Sequence, residues 1–296
     1  MTRIEKFGWR GAAQAGIARV ISTHGDYYHL VADEQPEGEI IARKKKSVFK
    51  YRKGVSQEKG GNTLNVQRSN VNDELLTPIT GDFVRYRYNS QGESMILEVL
   101  PRFSHFERKD PTARRQSQTL AVNFDTLFIM MSLNENFSTA RIDRYLTLAE
   151  DIGDAEAVVV LTKMDLKEEG DEEYVDELIR VIDGRAKLLK ISSFTGEGID
   201  EVRKIAAPGK TVAFIGSSGV GKSSLLNTLA GEEWAAVQEI QEWSGKGRHT
   251  TTSRELVMLP DGAMVIDTPG IREIGILGER EDIQVKGMST HRWRCK

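Results

Sequence analysis

The sequence predicts an α/β chain in two folded parts, a small β-barrel followed by a doubly wound, largely parallel sheet. Three observations lead there. Residues 15–101 break into short strand-like runs separated by turn residues, as in a small barrel. From about residue 103, continuous apolar runs alternate with stretches of helical periodicity, which implies strands buried on both faces with helices between them. In that second part, Gly216-Ser217-Ser218-Gly219-Val220-Gly221-Lys222-Ser223 reads G-x-x-x-x-G-K-S. An apolar run leads into it and a helix-like run leaves it, the setting of a phosphate loop.

The barrel strands follow in order. Gly16–Ile21 is apolar-rich, Gly25-Asp26 turns the chain, and Tyr27–Val31 completes a hairpin. Glu39–Arg43 is a third strand, Phe83–Tyr88 a fourth, and Ser94–Leu100 a fifth that Pro101 stops. An oligonucleotide-binding (OB-like) barrel fits this count best, with an SH3-like barrel as the alternative. From the end of the third strand run Arg43, Lys44, Lys45 and Lys46, then Lys50, Tyr51, Arg52 and Lys53. Basic residues interleaved with Phe49 and Tyr51 suit an RNA backbone and its bases; a solvated basic loop is the plainer reading. Residues 54–77 are polar and read as a loop within the barrel.

In the second part, Thr126–Met131 and Ala157–Leu161 are buried strands. Between them Ser138 opens a helix whose Ile142, Leu146 and Ala149 share a face. Asp171 is expected to cap a helix that buries Val175, Leu178, Ile179 and Ile182. Lys187–Ile191 is a strand, Ile199–Ala206 a helix, and Thr211–Ile215 the strand before the phosphate loop. Arg254–Leu259 and Ala263–Asp267 close the sheet.

Composition sets outer bounds. The 296 residues suffice for roughly two domains. A net charge of −3 means that any nucleic-acid partner must meet a local basic patch. The one cysteine, Cys295, rules out a disulfide within the chain and suits a reducing, cytoplasmic setting. No apolar run approaches the roughly 20 residues of a membrane helix. A monomer is expected.

Ligands of doubly wound sheets lie at the carboxyl ends of the strands, and the sequence puts polar motifs there. In the phosphate loop, backbone N–H groups and Lys222 would meet phosphates, while the Ser223 hydroxyl would hold Mg²⁺. Ser224 follows in the same turn. Asp267-Thr268-Pro269-Gly270 fits a water-mediated Mg²⁺ ligand followed by a glycine N–H for the γ-phosphate. Thr162-Lys163-Met164-Asp165 fits guanine, because a carboxylate can accept both N1–H and N2–H₂ protons that adenine does not offer. Ser192-Ser193 ends the next strand.

Assembled in this order, the chain resembles the circularly permuted GTPases, and most closely the small ribosomal subunit biogenesis GTPase family of the RsgA type. The base motif (162–165), Ser-Ser loop (192–193), phosphate loop (216–223), switch threonines (250–252) and Asp-x-x-Gly (267–270) follow that family's permuted order. Asn123-Phe124-Asp125, Ile142-Asp143-Arg144-Tyr145-Leu146 and Gly247-Arg248-His249-Thr250-Thr251-Thr252 match it too. The resemblance implies an OB-like RNA-binding barrel over residues 1–102 and a circularly permuted P-loop GTPase domain over 103–275. It also implies GTP hydrolysis with Mg²⁺, stimulated by the small (30S) ribosomal subunit, and contact with its rRNA.

Three departures from the pattern stand out. Thr162 replaces the usual Asn, which removes an amide contact to the base edge. Ile271 stands where many GTPases place a water-orienting Gln, so His249 is the candidate for positioning the attacking water, with a packing or RNA-contact role as its alternative. Thr251 is favoured among the switch threonines for Mg²⁺. The resemblance also implies a C-terminal zinc domain with three Cys and one His, whose ligands are absent here; only His291 and Cys295 stand near the end. Residues 276–296 are therefore expected to be an atypical, truncated tail. A GTP-regulated RNA-binding module with little hydrolysis is the alternative function, and an ATPase a third.

Overall fold

The computed structural model describes residues 1–12, 14–45, 77–109, 117–134, 137–231 and 254–267. The first strands are β1 (Ile17–His24), β2 (Tyr27–Ala32), β3 (Ile40–Lys44), β4 (Phe83–Arg87) and β5 (Ser94–Val99). They pair in the order β1-β2-β3-β5-β4, and β4 returns to β1, closing the barrel. The β3–β5 pair is parallel and the others antiparallel. This Greek-key closure is the OB-like arrangement rather than the SH3-like one. A bulge between Val20 and Ser22 bends β1 so that it can serve both neighbours. Ala18, Val20, Tyr28, Leu30, Ala42, Val84, Tyr86 and Ile96 fill the interior.

The second part is a sheet ordered β10-β9-β8-β11-β13-β12. Its strands are β8 (Thr126–Ser132), β9 (Glu156–Thr162), β10 (Lys187–Lys190), β11 (Thr211–Ile215), β12 (Glu255–Met258) and β13 (Met264–Asp267). All pair in parallel except β12. Alternate residues of β8 enter different cores: Leu127, Ile129 and Met131 one, Phe128 and Met130 the other. Helices α2 (Thr139–Leu148) and α3 (Glu172–Ile182) contribute to the first core. Helices α4 (Ile199–Ile205) and α5 (Lys222–Ala230) contribute to the second. This is why the strands read as unbroken apolar runs.

Several details depart from the sequence reading. Asp171 stands at the N-cap of α3, but its carboxylate accepts from the Glu168 amide, in the preceding turn, at 2.8 Å and gives the helix no side-chain cap. Ile179 faces solvent, 49% exposed, and Tyr145 joins Ile142 and Leu146 on the buried face of α2. A hairpin of β6 (His105–Lys109) and β7 (Ser117–Val122) was not anticipated. It adds Phe106, Leu120 and Ala121 to the first core. A short helix, α1 (Arg3–Lys6), was not anticipated either; a Thr2–Glu5 capping box starts it and its Ile4 is buried against the barrel.

The two parts meet around Arg19, the bulkiest fully buried side chain among the described residues. Its Nη1 donates to the Phe7 carbonyl at 2.5 Å and to Thr211 Oγ1 at 2.9 Å; Nη2 donates to the Asn123 carbonyl at 2.7 Å. The guanidinium also lies over the Phe83 ring, 4.9 Å from its centroid. Burial pulls its pKa down to about 9, against the attraction of Asp125 and Asp82. Asn123 takes a left-handed conformation (φ 53°). Its amide donates to the Gly81 carbonyl and its Oδ1 accepts from Phe103 N–H. Burial pushes Asp125 up, but Lys210, the Thr211 amide and Arg10 outweigh it and hold the carboxyl below its ordinary value. The Asn-Phe-Asp motif is thus the joint between barrel and sheet.

Replacing Arg19 with Met keeps the stem but leaves the buried Phe7 and Asn123 carbonyls and the Thr211 hydroxyl without their donor. Arg19→Met should cost about 2–4 kcal/mol of stability, read as a lowered urea midpoint. An unchanged midpoint would show that the joint does not depend on this charge.

Candidate functional site

Strand β8 leads to β9 and β10 on one side, and β11 is followed by β13 and β12 on the other. The crevice between β8 and β11 is therefore the switch point of the sheet, where ligands of this fold class are held. The phosphate loop leaves β11 there. Gly216 passes so close to β8 that a Cβ would lie 2.7 Å from the Met130 carbonyl, which excludes any larger residue. Gly219 and Gly221 take left-handed conformations (φ 75° and 97°) that let successive amides turn inward. Val220 is buried as the loop's anchor. Lys222 opens α5 and lies back over the loop, its Nζ 2.7 Å from the Gly216 carbonyl and 2.9 Å from that of Ser217. Ser218, Ser223 and Ser224 are exposed.

The base motif follows β9. Thr162, its last residue, is buried, and its hydroxyl meets the Val220 carbonyl at 2.6 Å and lies 3.3 Å from that of Met131. The position thus joins the motif to the phosphate loop, where the sequence had suggested only a lost contact to the base. Lys163 is left-handed (φ 60°), a conformation that costs of order 1 kcal/mol in a non-glycine residue. The turn brings the Met164 amide to the Ile191 carbonyl at 3.1 Å. Asp165 is exposed, and one of its oxygens accepts from Ser192 Oγ at 2.5 Å. Ser192 is itself fully buried, and its oxygen accepts from the amides of Phe194 and Thr195. These two acceptances aim its proton at Asp165. Ser193, half-buried, follows it.

Asp267 ends β13, next to β11, so its backbone reaches the same edge of the sheet. The structure brings together the base motif, Ser192, the phosphate loop and the end of β13, although they lie far apart in sequence. A serine hydroxyl at 223 and a carboxylate at 267 are hard oxygen donors of the kind that suit Mg²⁺, and they are the residues here that would hold it. His249, Thr250, Thr251, Thr252, Gly270 and Ile271 lie outside the described residues, as do the tail and Lys46, Lys50, Tyr51, Arg52 and Lys53. Arg43, Lys44 and Lys45 are exposed at the end of β3, remote from this crevice, with Arg43 stacked over the Tyr27 ring at 4.1 Å. Sequence reasoning missed the Thr162–Val220 link and the holding role of Ser192, because neither is a spacing within one motif.

The family model of the RsgA GTPase matches residues 99–277. A Lactiplantibacillus plantarum protein named small ribosomal subunit biogenesis GTPase RsgA 2 is 44% identical over 67% of this chain and 55% of its own length. The chain spans about half the length of that relative and of a similar Leptospira interrogans protein. A Listeria innocua protein, small ribosomal subunit biogenesis GTPase RsgA 1, is 35% identical over 92% of this chain and 72% of its own. Among solved structures, YjeQ from Thermotoga maritima superposes with a TM-score of 0.58 at 27% identity, covering 87% of this chain and 75% of that one. The circularly permuted GTPase YloQ, at 22% identity and a TM-score of 0.50 over 88% of this chain and 74% of its own, supports the fold. With its family model spanning the crevice and relatives alike over most of its length, this chain belongs to the RsgA GTPase family.

Proposed function

We propose that the chain hydrolyses GTP to GDP and phosphate and assists maturation of the small ribosomal subunit, which stimulates the reaction. The observation that carries this is the convergence on one crevice of a phosphate loop and a carboxylate, Asp165, oriented by a buried serine. Asp165 selects guanine, Lys163 packs beside the base, and Ser193 borders it. The amides of residues 216–221 and Lys222 hold the phosphates, and Ser223 and Asp267 would hold Mg²⁺, which would supply positive charge to the phosphates. Thr251 joins that set, Gly270 meets the γ-phosphate, and His249 places the attacking water. Water oxygen bonds to the γ-phosphorus as the bond from that phosphorus to the bridging oxygen breaks; the electron pair stays with GDP, the water's proton passes to the released phosphate, and GDP leaves. A group supplied by a partner can be worth about 10³–10⁵ in rate in such reactions, which accounts for dependence on the subunit.

In this reading the chain divides into the barrel (1–102), the GTPase domain (103–275) and a tail (276–296). The barrel meets rRNA through Arg43, Lys44 and Lys45 and the basic stretch that follows. The protein acts as a cytoplasmic monomer. Among the described residues no helix is long and apolar enough to cross a membrane. Phosphate release with and without purified small subunits tests the proposal: subunit-stimulated release supports it, and GTP binding with no release in either condition would leave a GTP-regulated RNA-binding module.

Three variants probe the assigned roles. Asp165→Asn should lower GTP affinity about ten- to a hundredfold and favour xanthosine triphosphate, whose C2 oxygen can accept from the new amide; competition binding reads this. Thr162→Val should weaken GTP and ITP by the same factor, about tenfold, because the lost bond serves the phosphate loop; a changed GTP-to-ITP ratio would place Thr162 at the base. His249→Ala should slow turnover by about a hundredfold with GTP affinity held; loss of affinity alone would indicate packing.

A further inference from the structure

The parallel sheet ends at β12, and β12 is where the barrel touches it strand to strand. Ser22 of β1 pairs with Glu255 of β12, and Glu255 pairs on its other side with Asp267 of β13. Ser22, Glu255 and Asp267 therefore lie in one row across three strands, about 10 Å from end to end at normal strand spacing. The residue before this row is held twice. Thr80, fully buried at the turn into β4, donates its hydroxyl to the Arg254 carbonyl at 2.8 Å. The Arg254 side chain then donates through Nη1 to the Thr119 carbonyl of β7 at 2.6 Å. One residue thus receives a bond from the barrel and gives one to the hairpin. In sequence, Arg254 comes two residues after the switch threonines Thr250–Thr252.

We infer that Arg254 and Thr80 are positioning residues that transmit the state of the barrel to the nucleotide site. They hold β12 to the barrel and the hairpin, and β12 sets the place of Asp267. The inference rests on the GTPase reading and deepens it, since it names the route by which the ribosomal subunit stimulates hydrolysis. The physical basis is stiffness. A strand paired on both edges moves with its neighbours rather than independently, and hydrogen-bonded contacts of this kind can carry coupling between sites. A displacement of β1 by bound RNA therefore reaches the backbone of Asp267 across a single intervening strand. Thr119 is itself braced by a bond from its hydroxyl to Glu107 across the hairpin, so the far anchor is fixed too.

The test uses the 296-residue chain with Thr80→Val, which keeps shape and removes the donor, and Arg254→Met, which keeps the stem and removes the guanidinium. GTP affinity at saturating Mg²⁺, the Mg²⁺ concentration for half-maximal GTP binding, small-subunit binding and hydrolysis with and without subunits are measured for each. The expected result is near-normal binding of GTP and subunit, a several-fold higher Mg²⁺ requirement, and about a tenfold loss of subunit stimulation. Thr80→Ser, which restores a hydroxyl, should recover most of that loss. If Arg254→Met fails to fold, judged by its thermal melt, the Thr80 pair carries the test alone. Variants stimulated as strongly as the wild type, with an unaltered Mg²⁺ requirement, would overturn the inference and leave the clamp purely structural. A wild-type chain that neither binds Mg²⁺–GTP nor releases phosphate would instead overturn the GTPase reading, and this inference with it.

Discussion

Arg19 is a full positive charge with no access to water, placed where the barrel and the parallel sheet meet. A buried cation is tolerated only when hydrogen bonds and nearby opposite charge replace its hydration. Here the two Nη atoms find the replacements: α1's end through Phe7, the Asn123 carbonyl and Thr211 at the start of β11, with the fields of Asp125 and Asp82 around them. Because the acceptors belong to both parts of the chain, satisfying Arg19 requires the parts to be docked. Asp82 is tied in turn to Arg102 by two bonds, at 2.7 and 2.8 Å. Asp125 joins Arg10, Lys210 and the Thr211 amide. The joint mixes these polar links with apolar packing, since Phe7 and Ile21 lie against the core of the sheet; directional hydrogen bonds then fix an orientation that apolar packing by itself leaves looser.

That fixed orientation matters at the opposite ends of the same strands. Thr211 begins β11 at the joint, Ile215 ends it, and Gly216 opens the phosphate loop at the crevice. A strand of five residues spans the distance between the interface and the phosphate loop. The permuted chain order does not disturb this, because function depends on which strand ends are neighbours in the sheet and not on which comes first in the chain. The bonds Thr162–Val220 and Ser192–Asp165 then knit the neighbouring loops together, so the turn after β9 and the phosphate loop are held in one arrangement.

Much of this was legible beforehand. The strands of the parallel sheet announced themselves because both faces are buried, and the barrel strands because turn residues separate them. The phosphate loop was readable because covalent spacing alone forces its glycines, lysine and serine into one turn. The β6–β7 hairpin was not, because it sends few large apolar side chains inward and its polar residues resemble a loop. The buried place of Arg19 leaves little trace in the sequence for a related reason. In an alternating strand a charged residue suggests an outward, solvated face, yet its neighbours on that face, Ile17 and Ile21, are apolar and hinted that the face was covered. Asp171 showed the limit of residue-type rules: the right residue stood at the helix start, but its carboxylate satisfied a different amide.

The sequence by itself determined the motifs on offer: a phosphate-loop turn, a Thr-Lys-Met-Asp motif after a buried strand and a basic run at the end of a barrel strand, each set by residues close to one another in the chain. The tertiary structure alone decided what joins them. Thr162 reaches Val220 across 58 positions, Thr80 reaches Arg254 across 174, and Arg19 reaches Thr211 across 192. Contacts at such separations leave no local pattern, because they arise only when the sheet brings distant strand ends side by side.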